Sequence, residues 1–92
     1  MFTELGQLVA TRGIYENMEK DTAFSKEIGA ALLRYQLEDW GDEMPPEDVE
    51  ANNEAIKDGD RILAAYNTSR GRVWIITEWD RSVTTILYPS EY

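Results

Sequence analysis

Apolar and polar positions along the chain change their period partway, and the strongest signal lies near its C-terminal end. From Arg72 to Tyr88, the positions Val73, Trp74, Ile75, Ile76, Thr77, Val83, Thr84, Thr85, Ile86, Leu87 and Tyr88 are nearly all β-branched or aromatic. Such side chains suit a pleated, packed surface, and the turn Trp79 to Ser82 divides the run into two strands. Arg61 to Tyr66 reads as a third strand, joined to them by a loop of turn formers, Asn67 to Gly71. Ile62, Ala64 and Tyr66 fall on one side of that strand and Leu63 and Ala65 on the other, while Val73, Ile75 and Thr77 alternate with Trp74, Ile76 and Glu78. Both faces of the sheet therefore carry apolar groups. The face away from the helices is expected either to pack a shorter element or to meet a partner.

Upstream the period becomes helical. Phe24, Ile28, Ala31, Leu32 and Tyr35 recur at helical spacing and predict a helix from Thr22 to Leu37, with Asp21 or Thr22 as its N-cap. Leu33 and Leu37 fall partly off this stripe, which implies a wider buried face or a small partner surface. Gly29 costs the helix about 1 kcal/mol relative to Ala and is expected to allow close approach to a neighbour. Ile14, Tyr15 and Met18 share one face of a short helix, and Gln7 to Thr11 is a short strand ended by Arg12 and Gly13. Gly41 is expected to end the long helix in a left-handed conformation. Pro45 or Pro46 then suits the first position of a third helix running to about Lys57, stopped by Asp58-Gly59-Asp60. Val49, Ala55 and Ile56 give that helix only a thin apolar face, so it is largely exposed.

The element order is β-α-α-α-β-β-β, which predicts a single α+β domain spanning residues 1 to 92. Its C-terminal strands form a three-stranded antiparallel meander, with the N-terminal strand at an edge and the helices packed on one face.

Charge changes this picture, because it is unevenly placed. The net charge is −9, and the segment from Glu38 to Asp60 holds ten acids against the single base Lys57. That segment carries the whole net charge. Such a chain repels nucleic acid and anionic membrane, both of which are bound chiefly through clustered Lys and Arg. Cysteine and histidine are absent, so neither a disulfide framework nor a thiolate metal site is available, and catalysis would fall to carboxylates, Tyr, Lys, Ser or Thr. No apolar run approaches the roughly 18 to 20 residues of a membrane span, and MFTELGQLVATRG lacks the basic start of a signal peptide. The expected compartment is the cytoplasm, and no cofactor or metal is expected.

Two groups of residues are candidates for function. Asp42, Glu43, Glu47, Asp48, Glu50, Glu54 and Asp58 form an acidic loop and helix that would meet the basic surface of a nucleic-acid-binding protein through charge-assisted contacts. Glu78, Asp80, Arg81, Thr84 and Thr85, with Ser82, form a polar group beside the last turn. Glu78 and Asp80 would share a face if the chain stays extended there, as a carboxylate pair. Equally, Asp80 accepts backbone hydrogens within its own turn and Arg81 pairs with a carboxylate of the acidic segment. Asp39, Asp42 and Glu43 offer oxygen ligands for a divalent cation, but their spacing departs from the calcium-loop pattern and bulky Trp40 stands among them. Trp40 is expected to tuck the loop onto the core.

A set of motifs completes the reading. Asp39-Trp40-Gly41-Asp42, Glu47-Asp48 followed by Ala51-Asn52 and Ala55, Gly59 with Arg61 to Tyr66, and Val73 to Glu78 through Asp80 to Thr85 to Pro89 and Glu91-Tyr92 span most of the chain. Together with Val9-Ala10-Thr11 they resemble small bacterial "plasmid-related" proteins, also called type I restriction subunit M. Trp79 departs from that pattern, which usually has a small residue there. The second name does not fit the chain: a methyltransferase needs a glycine-rich cofactor loop and a domain larger than 92 residues. The resemblance implies residence on plasmids, conjugative elements and phages. Joined to the charge, it implies a small non-enzymatic binding protein of a mobile genetic element. Such a protein would be an anti-defence factor, anti-CRISPR or anti-restriction, presenting carboxylates where a host protein expects phosphates. Alternatives are a small-ligand or hydrolytic site on the turn from Glu78 to Thr85, or a homo-oligomeric accessory protein. The chain is expected to be a monomer or a weak homo-oligomer.

Overall fold

The computed structural model describes residues 1–92. Its elements are β1 (Gln7–Ala10), α1 (Arg12–Lys20), α2 (Thr22–Gln36), α3 (Pro46–Asp58), β2 (Ile62–Thr68), β3 (Gly71–Thr77) and β4 (Val83–Leu87), followed by a 3-10 turn at Pro89–Glu91. The expected α+β order is present. The four strands lie in the order β1-β4-β3-β2, with β2, β3 and β4 antiparallel and β1 parallel to β4, so the sheet is mixed. No helix is long and apolar enough to cross a membrane.

The core forms on the helical side of the sheet, where the period-2 pattern places Ile62, Ala64, Tyr66, Val73, Ile75, Thr77, Thr84 and Ile86, all buried. Phe24, Ile28, Ala31 and Tyr35 of α2 pack onto this face, joined by Ile14 of α1, Ala55 of α3, Phe2 and Trp40. Asp21 caps α2 by accepting a hydrogen bond from the Phe24 amide at 3.1 Å. The two core threonines are polar, and their hydroxyls are satisfied in a chain. Tyr35 Oη lies 2.6 Å from Thr77 Oγ1, which lies 2.8 Å from Thr84 Oγ1, which donates to the Leu5 carbonyl at 2.7 Å. No buried side-chain polar atom lacks a partner. Trp40 is 2% exposed and stands edge-on to Tyr35, the anchoring role expected of it.

Three local expectations need correction. Gly41 does not end α2. The residue that turns left-handed after that helix is Glu38, with φ of 64°, while Gly41 adopts φ of 117° and lies flat against the backbone of Ala65. Gly29 faces open space, since a Cβ there would meet nothing within 4 Å. Finally, β2 runs on to Thr68 rather than Tyr66, so Asn67 and Thr68 pair with Arg72 and Gly71 and the hairpin turn shrinks to Ser69 and Arg70.

The outer edge of β2 is closed without a fifth strand. Asn52 of α3 bonds the amide and carbonyl of Leu63; the Trp40 carbonyl and Asp42 amide take the two groups of Ala65; and the Asp42 carboxylate accepts from the Asn67 amide. Leu63, Ala65, Trp74, Ile76, Thr85 and Leu87 lie on the sheet face opposite the core. A shorter element packs on part of it. Tyr92 meets Trp74 edge-on and accepts a hydrogen bond from Arg61 at 2.7 Å, and Glu91 accepts from Thr11 Oγ1 at 2.6 Å and from the Gly13 amide at 2.9 Å.

Candidate functional site

The acidic helix α3 starts and stops by local chemistry. Pro45 is extended, with φ of −59° and ψ of 145°, Pro46 takes the first helical position, and Glu47 and Asp48 sit favourably in the first turn. Gly59, with φ of 75°, ends the helix. The Ala55 carbonyl at that end accepts from the Gly59 amide and from Arg81 Nη2. Val49, Asn52, Ala55 and Ile56 hold the helix to the fold. At 100° per residue, Glu47, Glu50, Glu54 and Asp58 fall on the opposite side as one stripe, about 16 Å long. All four are exposed. The carboxylates that do enter ion pairs lie elsewhere: Glu16, Asp21, Glu38, Asp39, Asp42, Glu43 and Glu78.

This stripe works against the helix that carries it. Glu50 with Glu54, and Glu54 with Asp58, are like charges one turn apart, each costing about 0.2–0.5 kcal/mol. Glu54 and Asp58 also lie towards the negative end of the helix dipole. Lys57 in the last turn and Glu47 in the first offset part of this cost, but none of the four stripe carboxylates enters an ion pair. Asp48 is exposed on a different flank of α3, turned towards the bare part of the sheet.

The loop carboxylates behave differently. Arg34 of α2 donates to both oxygens of Asp39, at 2.7 and 3.2 Å, and to both of Asp42, at 3.4 and 3.1 Å, while its guanidinium lies 5.0 Å from the centre of the Tyr66 ring. The hydrogen bonds from Arg34 hold both carboxyls below their ordinary value, and the same bonds raise the guanidinium. Glu43 accepts from Asn67 Nδ2 at 3.0 Å and pairs with Arg72 at 3.6 Å. Asp39, Asp42 and Glu43 thus each face a basic or amide partner and do not converge on a common point. Asp42 builds the loop and closes the β2 edge; of the expected acidic surface, α3 carries the unpaired part.

Between α3 and the sheet runs a cleft of about 430 Å³ that sequence patterning alone did not reveal. Leu63, Ala65 and Trp74 form its floor, and Met44, Pro45, Asp48 and Ala51 its wall. Arg61 and Arg72 also line it, but neither is a bare cation. Arg61 lies 3.6 Å from Glu78, and Arg72 donates to Asn67 Oδ1 at 2.9 Å and to the Asp42 carbonyl at 2.7 Å besides its pairing with Glu43. Asp48 is therefore the unneutralised charge at the mouth. The legible signal was the alternation that puts Leu63, Ala65 and Trp74 on one face with no helical stripe left to cover them.

The polar turn is divided among separate tasks. Asp80 accepts from the Ser82 amide at 3.1 Å and the Ser82 hydroxyl at 2.6 Å, and these bonds, the hydroxyl's first, hold its carboxyl below the usual range. It is the turn-forming carboxylate of the second sequence reading. Arg81, at φ of 60°, reaches across to α3 and donates to the carbonyls of Ala55 and Asp60 at 2.8 and 2.7 Å, so it meets main chain of the acidic segment and not one of its carboxylates. Thr84 is buried in the hydroxyl chain on the core side. Glu78 and Thr85 face the other side, where with Thr11, Ile76, Leu87 and Tyr92 they line a hollow of about 220 Å³. Glu78 and Asp80 do not form a pair, and Trp79 is 67% exposed at the tip.

Comparison of the chain with known protein families, with curated proteins and with solved structures finds no match.

Proposed function

We propose that this chain is a non-enzymatic binding protein whose α3 stripe docks on a basic surface of a protein that itself holds nucleic acid. The observation that carries the reading is the stripe Glu47, Glu50, Glu54 and Asp58: four exposed carboxylates with no ion pair in the chain, on a helix fixed from behind by Asn52 and Ala55. A rigid row of carboxylates suits a groove of Lys and Arg through charge-assisted contacts, and the field of the acidic segment speeds encounter. The resemblance to proteins of mobile elements supports an anti-defence role, in which a host nuclease or CRISPR effector is the target.

Capture of such host proteins on the immobilised chain, across a salt series and with duplex DNA as competitor, tests this. Binding should weaken steeply with salt, be displaced by DNA, and fall at least about tenfold when the four stripe residues become Gln or Asn. Binding that ignores both salt and these substitutions would end the proposal.

The cleft beside α3 favours a second reading, a small-ligand site, since its volume lies in the range of ligand pockets and its floor is apolar. Trp74 lies in that floor, so ligand screening by indole NMR separates the two readings: a shift confined to Trp74 supports a ligand, and silence there leaves the acidic stripe as the working surface.

A further inference from the structure

The helix α2 is apolar on two opposite sides. Phe24, Ile28, Ala31 and Tyr35 are buried in the core, yet Gly29, Ala30, Leu33 and Leu37 on the far side are exposed, Leu33 by 53% and Leu37 by 61%. A surface helix of a monomer ordinarily puts charge there. Lys26 is the one charged residue of this outer stripe, and it belongs to none of the chain's ion pairs. Gly29 adds a separate observation. It stands midway along α2, it weakens the helix relative to Ala, and a Cβ at its position would touch nothing within 4 Å, so the fold itself does not require it.

We infer that this outer stripe is a self-association surface, and that its occupant is α2 of a second copy, running antiparallel about a two-fold axis near Gly29. This goes beyond the acidic-partner reading and does not depend on it. Charge singles out the occupant. A basic partner gains little from a stripe whose one charge is a lysine, whereas two chains of net charge −9 repel each other least where acids are few and a lysine of each can face an acid of the other. The stripe also complements itself. Helical side chains lean towards the N-terminus of their own helix. In an antiparallel crossing at Gly29, Lys26 of each copy therefore leans over Leu37 of the other, towards its terminal carbonyls and Glu38. Glu38 now lies 3.3 Å from the N-terminal ammonium, and its side chain is 41% exposed and open to a second cation. Leu33 of each copy enters the space that Gly29 and Ala30 of the other leave open. A two-fold contact is isologous and closes at two copies. Each dimer would present two α3 stripes, so binding to a repeated basic target would gain avidity.

Sedimentation equilibrium of the full chain, from micromolar to submillimolar concentration at low and high salt, is the test. A monomer–dimer equilibrium that tightens with added salt is expected, because salt screens the repulsion between two acidic chains. Leu33→Glu with Leu37→Glu, both at exposed positions, should abolish the dimer while the circular dichroism spectrum is kept. Gly29→Ala gives a readout that a purely structural glycine would not: it should raise the Tm of the dilute monomer by about 5 °C and weaken dimerisation about tenfold. The stripe variant of α3 should still dimerise, which separates this inference from the proposed function. A monomer under every condition overturns the inference, as does a dimer indifferent to the leucine substitutions or one that salt dissociates. A dimer unaffected by Gly29→Ala overturns the close crossing at Gly29.

Discussion

Asn52 forms two hydrogen bonds with the backbone of Leu63: its Nδ2 donates to the carbonyl at 2.8 Å and its Oδ1 accepts from the amide at 3.3 Å. A helix side chain thus stands where a neighbouring strand would be. It also fixes the rotation of α3, and so decides that the carboxylate stripe faces away from the fold. An open strand edge invites pairing with other chains, and here Asn52, Trp40 and Asp42 occupy the β2 edge between them.

Asn52→Asp keeps the shape and the acceptor but sets a carboxylate oxygen against the Leu63 carbonyl. The expected loss is about 1–3 kcal/mol, with a lower Tm and earlier aggregation on heating. Thermal denaturation followed jointly by circular dichroism and light scattering measures both. An unchanged Tm would mean that the edge needs no cover.

Acid should destabilise the fold through the loop. Hydrogen bonds from Arg34 hold Asp39 and Asp42 below their unfolded value of about 3.9. Asp21, through Arg70 first and then the Phe24 amide, is also lowered. Burial opposes the charge of Glu91, yet bonds from Thr11, Tyr88 and Gly13 together still lower its pKa. A depressed carboxyl contributes stability above the unfolded pKa that is lost as pH falls through the folded one. Stability should therefore hold down to about pH 4 and fall below it. Arg34→Gln should cost about 1 kcal/mol at neutral pH, these pairs being partly exposed, and should flatten the acid limb without removing it. Urea unfolding between pH 2 and 7 reads the difference.

Alkali acts on two buried phenols on the same side of the sheet, Tyr35 and Tyr66. Burial pushes the Tyr35 phenol up to about 12, and burial with the nearby Asp39 charge raises Tyr66 as well. Because both folded values exceed the unfolded one, their contribution is complete below about pH 10 and disappears as pH rises through the folded values. Tyr35→Phe should cost about 1 kcal/mol at neutral pH through the lost bond to Thr77, and should leave one fewer titrating group in the alkaline transition. Tyrosinate absorbance recorded beside the far-ultraviolet signal follows both.

Arg81→Ala should loosen the end of α3. Its guanidinium holds the carbonyls of Ala55 and Asp60 and lies 5.5 Å from the Phe2 ring, so its removal opens the helix end and unseats Phe2 together. Faster hydrogen exchange over residues 55 to 60 is the expected signature, with a stability loss of about 1–3 kcal/mol. Exchange unchanged in that segment would show that Gly59 alone ends the helix.

Much of this was legible in the residues, and what was not has physical reasons. The stripe from Phe24 to Tyr35 and the alternation in β2, β3 and β4 specify their elements because burial acts on a fixed period. The parallel pairing of β1 with β4 was not legible, since a four-residue strand has the same alternation in either direction. Gly41 read as a helix stop because glycine favours left-handed backbone. Its actual demand is spatial: a Cβ there would lie 1.7 Å from the Ala65 carbonyl oxygen, a contact between residues far apart in sequence. The role of Asp80 in its turn was readable from local chemistry. The target of Arg81 was not, because charge patterning nominates carboxylates and the structure uses helix-end carbonyls. The cleft beside α3 exists only once that helix stands at the β2 edge.

The bond from Thr84 to the Leu5 carbonyl joins residues 79 positions apart, and β1 closes on β4 beside it. During synthesis β1 emerges before all three helices and the β2–β3 hairpin, and the strand it needs emerges after them. It therefore waits through the making of all three helices and the β2–β3 hairpin with its backbone unmatched. Folding cannot be completed piecemeal from the N-terminal side, and long-range closure of this kind slows the search. The sheet becomes whole only when β1 and β4 find each other across everything made between them.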